Sequence, residues 1–149
     1  MAKPYEVGNN PEHDRSWVLY RCRDVALLKD PTLDDIMVQT LKLAGIESYE
    51  SCCHQFPPPG EGVTATVIIG ASRADAHCWP EVGTMILGCF SCGDCDEQVY
   101  QFVDYMLQQA QPESAFEVPE RKIHVRMPKI IPASWIPMRW QVPARAACA

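Results

Sequence analysis

Trp17-Val-Leu-Tyr-Arg-Cys22 is followed, after a polar join, by Pro31-Thr-Leu-Asp-Asp-Ile-Met-Val-Gln-Thr-Leu-Lys-Leu-Ala-Gly45, and the change of period between the two runs decides the fold. The first run is short and mostly apolar, as a central strand would be. The second is punctuated as a helix, with Thr32 at the N-cap, Asp35 three residues on and Gly45 as the stop. Leu33, Ile36, Met37, Thr40 and Ala44 recur at the helical period, so one face of this helix packs on a sheet.

Beyond this pair, Glu47–His54 reads as another strand. Phe56-Pro-Pro-Pro-Gly-Glu-Gly62 is a loop, because consecutive prolines remove ladder donors and the glycines favour turns. It feeds a strand over Val63–Gly70, whereas Ala71–Gly83 shows no clean period and Thr84–Ser91 is strand-like again. Asp94 is placed to cap a helix with Glu97 reaching back, and Val99, Phe102, Val103, Met106 and Ala110 form its buried stripe. Lys122–Met127 alternates polar with apolar residues, which suits a strand with one wet face. The order strand, helix, strand, strand, strand, helix, strand predicts an α+β fold: a two-layer sandwich, its sheet mostly antiparallel and its helices on one face.

Length and composition agree with one globular unit of 149 residues, 47% hydrophobic and 21% charged. A net charge of -6 gives no basic footprint for nucleic acid and suits a cationic small ligand. Residues 1–16 are polar where a signal peptide needs an apolar run, so they read as a flexible arm on a cytoplasmic protein. No window is apolar enough to span a membrane. Residues 17–127 form the domain. Residues 128–149, with four prolines, Trp135 and Trp140, read as an extended arm over the domain or a subunit partner. The eight cysteines, with no secretory signal, are expected as buried thiols, a catalytic thiol or metal ligands rather than a disulfide framework. Cys89-x-x-Cys92-x-x-Cys95 offers three thiols and no obvious fourth ligand, so no metal is assigned.

The chemistry concentrates between Phe56 and Asp94. In order come Phe56, Thr64, Ala71-Ser72-Arg73, His77, Trp79-Pro80-Glu81 and Cys92-Gly93-Asp94. This series resembles the bacterial and archaeal S-adenosylmethionine decarboxylases, whose pattern is Glu-Ser-His, then His, Trp-Pro-Glu and a Cys-Gly-Asp turn. Removing carbon dioxide from an amino acid requires an electron sink, and a carbonyl that forms a Schiff base with the substrate amine supplies one. The resemblance implies that the Ser72 hydroxyl attacks the Ala71 carbonyl, cutting the chain between them and leaving a pyruvoyl group at residue 72. It further implies that Thr64 and His77 assist this step and that Cys92 is the proton donor in turnover. Phe56 and Trp79 would sandwich adenine, with Glu81 accepting from the ribose hydroxyls. A homo-oligomer of processed protomers, a dimer, is also implied.

The sequence departs from the pattern at Ala71, where the family has Glu, and at Arg73, where it has His. An arginine facing the pocket would grip the substrate carboxylate. Two alternatives therefore stay open beside a decarboxylase serving spermidine synthesis. One is an uncleaved paralogue that binds S-adenosylmethionine in a regulatory role; the other is a pyruvoyl-dependent arginine or ornithine decarboxylase.

Overall fold

The computed structural model describes residues 12–92 and 95–123. In chain order the elements are β1 (Glu12–Cys22), α1 (Leu33–Leu43), β2 (Glu50–Gln55), β3 (Val63–Ile68), β4 (Arg73–Trp79), β5 (Thr84–Cys92), α2 (Asp96–Ala110) and β6 (Pro112–Ile123), with short 3₁₀ turns at Leu27–Lys29 and Pro80–Val82. The six strands form one sheet in the order β2-β3-β4-β5-β1-β6. Every neighbouring pair is antiparallel. Both helices cover the same face, as the α+β two-layer reading requires.

Strand alternation builds that core. Trp17 and Leu19 of β1, Val63, Ala65 and Val67 of β3, Ala74 and Ala76 of β4, and Met85 and Leu87 of β5 are buried under the helices. From α1 come Leu33, Met37, Thr40 and Leu41, and from α2 the stripe Val99, Phe102, Val103, Met106 and Ala110 read in the sequence. Gly45 ends α1 with φ +80. Its N–H donates to the Lys42 carbonyl and that of Ile46 to Leu41, a Schellman closure. Thr32 occupies the N-cap position but makes no side-chain cap, because its hydroxyl and its N–H both donate to Asp30 Oδ1 (2.7 and 2.8 Å). A buried Arg15 fastens α2 to the sheet: its guanidinium donates to Asp96 Oδ1 at 2.9 Å and lies 5.4 Å from the Tyr100 ring centre. The hydrogen bond to Asp96 raises the Arg15 pKa above its ordinary value.

Several boundaries differ from those expected. β1 begins at Glu12, so residues 12–16, assigned to the arm, belong to the sheet. There His13 and Arg15 take buried core-side positions that composition does not signal. Arg73–Trp79 is a strand within the stretch that showed no clean period. Its inward residues are Ala74, Ala76 and Cys78, which weigh little as strand formers. The last described strand is Pro112–Ile123, which begins ten residues before the expected Lys122–Met127; residues 124–127 of that expectation lie outside the described residues. Its prolines argue against a central strand, yet it is an edge, and Pro119 falls where the register with β1 shifts between Asp14 and Ser16. α2 starts at Asp96 with Cys95 at its N-cap. The expected cap Asp94 lies outside the described residues, as do most of the N-terminal arm and all of the C-terminal arm.

The core thiols set a pH limit on stability. Burial pushes Cys78 and Cys89 from 9.0 up to about 12. These thiols ionise in the unfolded chain at a pH where the fold still keeps them neutral. The stability they contribute is complete below pH 9.0 and disappears as pH rises from there to about 12. Urea unfolding should therefore show no thiol-dependent change in free energy below about pH 8.5 and a decline above it. A Cys78→Ala, Cys89→Ala protein should lose most of that slope; an unchanged slope would assign it to other groups.

Candidate active site

The helix-free face of the sheet carries the polar residues of β3 and β4. Thr64 of β3 stands opposite His77 of β4 in register, and Thr64 Oγ1 lies 3.3 Å from His77 Nδ1. Along β4, residues two apart share a face, so Arg73, Asp75, His77 and Trp79 form a row. Arg73 Nε donates to Asp75 Oδ2 at 3.1 Å, and His77 Nε2 stands 3.4 Å from Asp75 Oδ1. One carboxylate, only 15% exposed, therefore faces both the Arg73 guanidinium and the His77 imidazole. A proton on Nε2 is favoured by that carboxylate, which leaves Nδ1 to accept from the Thr64 hydroxyl.

Asp75 fits because its partner in β5 is Gly88. A Cβ at residue 88 would stand 2.5 Å from Asp75 Oδ1, so any side chain there would displace the carboxylate. Arg73 lies 5.7 Å from the Phe90 ring centre and is half-exposed.

At the far end of β4 the row opens into a cavity of about 420 Å³ lined by Phe56, Gly60, Gly62, Thr64, His77, Cys78, Trp79 and Glu81. This size suits a small-molecule ligand. The loop between β2 and β3 forms one wall. The Phe56 N–H donates to the Gly62 carbonyl at 2.9 Å, and Lys29 Nζ holds Glu61 Oε2 at 3.0 Å. Gly62 passes so close to the Cys78 carbonyl that a Cβ would collide with backbone, so the wall needs glycine there. Opposite it, Pro80 opens the 3₁₀ turn that carries Glu81, and Gly83 at φ +64 closes it. Phe56 and Trp79 both present half-exposed rings. Cys78 also lines the cavity, but with its thiol pushed to about 12 by burial it is neutral.

The structure thus brings together Phe56, Thr64, His77, Trp79 and Glu81. Arg73 shares their face at the opposite end of β4 and does not enter the cavity. Ser72 is apart from all of them. It follows the tight β3–β4 turn, where Gly70 takes φ +79 at the first central position and the Ile69 N–H donates to the Ser72 carbonyl at 3.0 Å. Its buried side chain lines a separate space of about 60 Å³ on the helix side, with Ile46, Ile69, Ser91, Cys95 and Val99. Cys92 ends β5 with its backbone opposite Glu12; its side chain, and Gly93 and Asp94, lie outside the described residues. Among the described residues no group of His, Cys, Asp or Glu is arranged to hold a metal.

Sequence reading missed Asp75, Gly62 and Gly88. The signal for Asp75 was the alternation Arg-Ala-Asp-Ala-His-Cys-Trp over residues 73–79, in which every second residue carries chemistry.

An antiparallel sheet with helices on one face and an aromatic-walled cavity of small-molecule size on the other defines a two-layer α+β sandwich. The family described as S-adenosylmethionine decarboxylase matches residues 17–122, and the chain belongs to that family. An S-adenosylmethionine decarboxylase proenzyme of a Thermoanaerobacter species is 34% identical over 102 residues, 67% of this chain and 80% of that protein. One from Syntrophomonas wolfei is 40% identical over 76 residues, 51% of this chain, so the chain spans only 59% of that relative. The crystal structure of the adenosylmethionine decarboxylase from Aquifex aeolicus shares the fold, with a TM-score of 0.66 and 22% identity across 81% of this chain and 97% of that one. No described helix is long and apolar enough to cross a membrane.

Proposed function

We propose that this chain is a self-cleaving S-adenosylmethionine decarboxylase. It cuts itself between Ala71 and Ser72, carries the resulting pyruvoyl group at residue 72, and supplies the aminopropyl donor for spermidine synthesis. The observation that carries this reading is the cavity of Phe56, Trp79 and Glu81 on the helix-free face, within a chain of this family. Two aromatic rings suit adenine and the sulfonium charge, and a carboxylate suits ribose hydroxyls. Such a cavity has no use for arginine or ornithine, which lack an adenosine. The residues at the cut also fit the group: Ser72 holds a hydroxyl next to the peptide bond it must attack, at the exit of a tight turn.

Once formed, the keto group supplies the electron sink. Thr64 and the His77 that Asp75 orients are the hydroxyl and imidazole that would assist the cut and move protons beside residue 72 of a partner chain. Cys92 returns a proton to the substrate carbon. Arg73 has its Nε committed to Asp75, while its terminal nitrogens make no hydrogen bond among the described residues and would meet the carboxylate of a substrate held in a partner chain's cavity.

Geometry supports a dimer of processed protomers. Ser72 precedes His77 by five residues, about 16 Å of extended chain. The keto position and the cavity of one chain therefore do not meet. Both ends of β4 border the helix-free face, where Tyr20, Ile68, Trp79 and Phe116 are exposed. Two copies packed through this face about a twofold axis would set the hairpin end of each against the cavity of the other. Cys22, Cys52, Cys53, Cys78 and Cys89 are free thiols, in keeping with a cytoplasmic site of action.

A second reading, an uncleaved S-adenosylmethionine-binding paralogue, is favoured by one observation: the Ser72 hydroxyl lies on the helix side, beside the altered neighbours Ala71 and Arg73. Intact mass of purified protein separates the two. Cleavage gives chains 1–71 and 72–149, the second blocked by a keto group, with carbon dioxide released from carboxyl-labelled S-adenosylmethionine and not from labelled arginine or ornithine. A single uncut mass after prolonged incubation would remove the pyruvoyl mechanism.

A further inference from the structure

We propose that Ser91 is the hydroxyl partner of Ser72 in self-cleavage, an inference that rests on the self-cleavage reading above. The register of β4 with β5 pairs Arg73 with Phe90, so one step further Ser72 and Ser91 are cross-strand neighbours. Both side chains turn to the helix side and line the same space of about 60 Å³, whose remaining wall is Ile46, Ile69, Cys95 and Val99. Ser91 is 3% exposed, and its Oγ has no hydrogen-bond partner among the described residues. A buried hydroxyl without a partner is destabilising and calls for a reason. A neighbouring oxygen that changes charge during a reaction is such a reason.

A hydroxyl both accepts and donates, and the chemistry of Ser72 needs both. As Ser72 Oγ attacks the Ala71 carbonyl carbon, its O–H proton must leave, and Ser91 Oγ accepts that hydrogen bond. The new C–O bond forms, the C–N bond to Ser72 breaks, and the proton ends on the freed amine. In the elimination that follows, a water molecule takes the α-proton of Ser72, the C–H electron pair forms the Cα=Cβ bond, and the Cβ–Oγ bond breaks. The departing oxygen becomes part of the Ala71 carboxylate, and Ser91 O–H donates to it as its charge grows. Water then hydrolyses the remaining enamine, by way of its imine, to the keto group and ammonia, so no oxidant is required. The apolar lining strengthens each of these hydrogen bonds by excluding bulk water.

The test compares side chains of one shape. Ser91→Thr keeps the hydroxyl, Ser91→Val replaces it by a methyl, and Ser91→Ala removes it. Conversion of full-length chain into its two fragments is followed by intact mass, alongside the melting temperature. The expected result is cleavage near the parent's rate in Ser91→Thr. In Ser91→Val and Ser91→Ala it falls about tenfold, the rate equivalent of one hydrogen bond. The melting temperature of Ser91→Ala should equal or exceed the parent's, since it deletes an unpaired group, which a purely structural role would not allow. Equal rates for the threonine and valine proteins, in a parent that cuts normally, overturn the role of Ser91 alone. A parent that never cuts overturns this inference and the reading beneath it.

Discussion

A Ser72→Ala chain and a Trp79→Ala chain, each inactive alone, should together recover about a quarter of the parent's decarboxylase activity. The first chain has no hydroxyl with which to make a keto group; the second has lost one aromatic wall of its cavity. If position 72 of one chain works in the cavity of its partner, a mixed dimer contains one intact site and one doubly broken site. Random pairing makes about half the dimers mixed, and half of their sites work. Native mass spectrometry confirms that mixed dimers are present, and the mixture is assayed for release of labelled carbon dioxide. Mixed dimers that stay silent would contradict a site shared between chains, and so would full activity in a monomer.

Asp75→Asn should lower turnover about tenfold, the scale of a misplaced proton-transfer group. Aspartate presents two oxygens, one to Arg73 Nε and one to His77 Nε2. Asparagine offers a single acceptor and turns an N–H toward whichever of the two donors it does not serve. Arg73 has the shorter contact, 3.1 Å against 3.4 Å, so His77 is the group left facing a donor. Its ring then loses the arrangement that points Nδ1 at the Thr64 hydroxyl. Replacing Arg73 by methionine in the Asp75→Asn background frees the one acceptor for His77, so the double variant should lose less than the two single losses combined. The four proteins form a double-mutant cycle whose coupling is read from kcat. Additive losses would mean that the Arg73–Asp75–His77 row does not act as a unit.

The parts of the fold legible in sequence were those where side-chain size follows the backbone period. α1, with its glycine stop, and the stripe of α2 are large apolar residues at helical spacing, and both appear as read. β4 was not legible, because its inward positions are alanine and cysteine while its outward ones carry charge, imidazole and indole. The same inversion hid Asp75: a strand whose exposed row does the chemistry looks aperiodic to a search for apolar residues. Phe56, Thr64, His77, Trp79 and Glu81 were chosen by resemblance and converge on one cavity. That Ser72 lies beyond their reach depends on which face of the sheet each position takes. A sequence segment without an assigned strand says nothing about that.

Strand order gives the proposed cut one more consequence. The piece ending at Ala71 would own β1, β2 and β3, and the piece starting at Ser72 would own β4, β5 and β6, yet β1 is threaded between β5 and β6. The two polypeptides would thus be interlaced like the fingers of clasped hands, and a severed backbone would leave the sheet undisturbed. What changes is the way back: once unravelled, two separate molecules must find each other, so renaturation becomes second order and slows with dilution. The uncut precursor, with every strand on one string, would regain its shape at a rate indifferent to concentration.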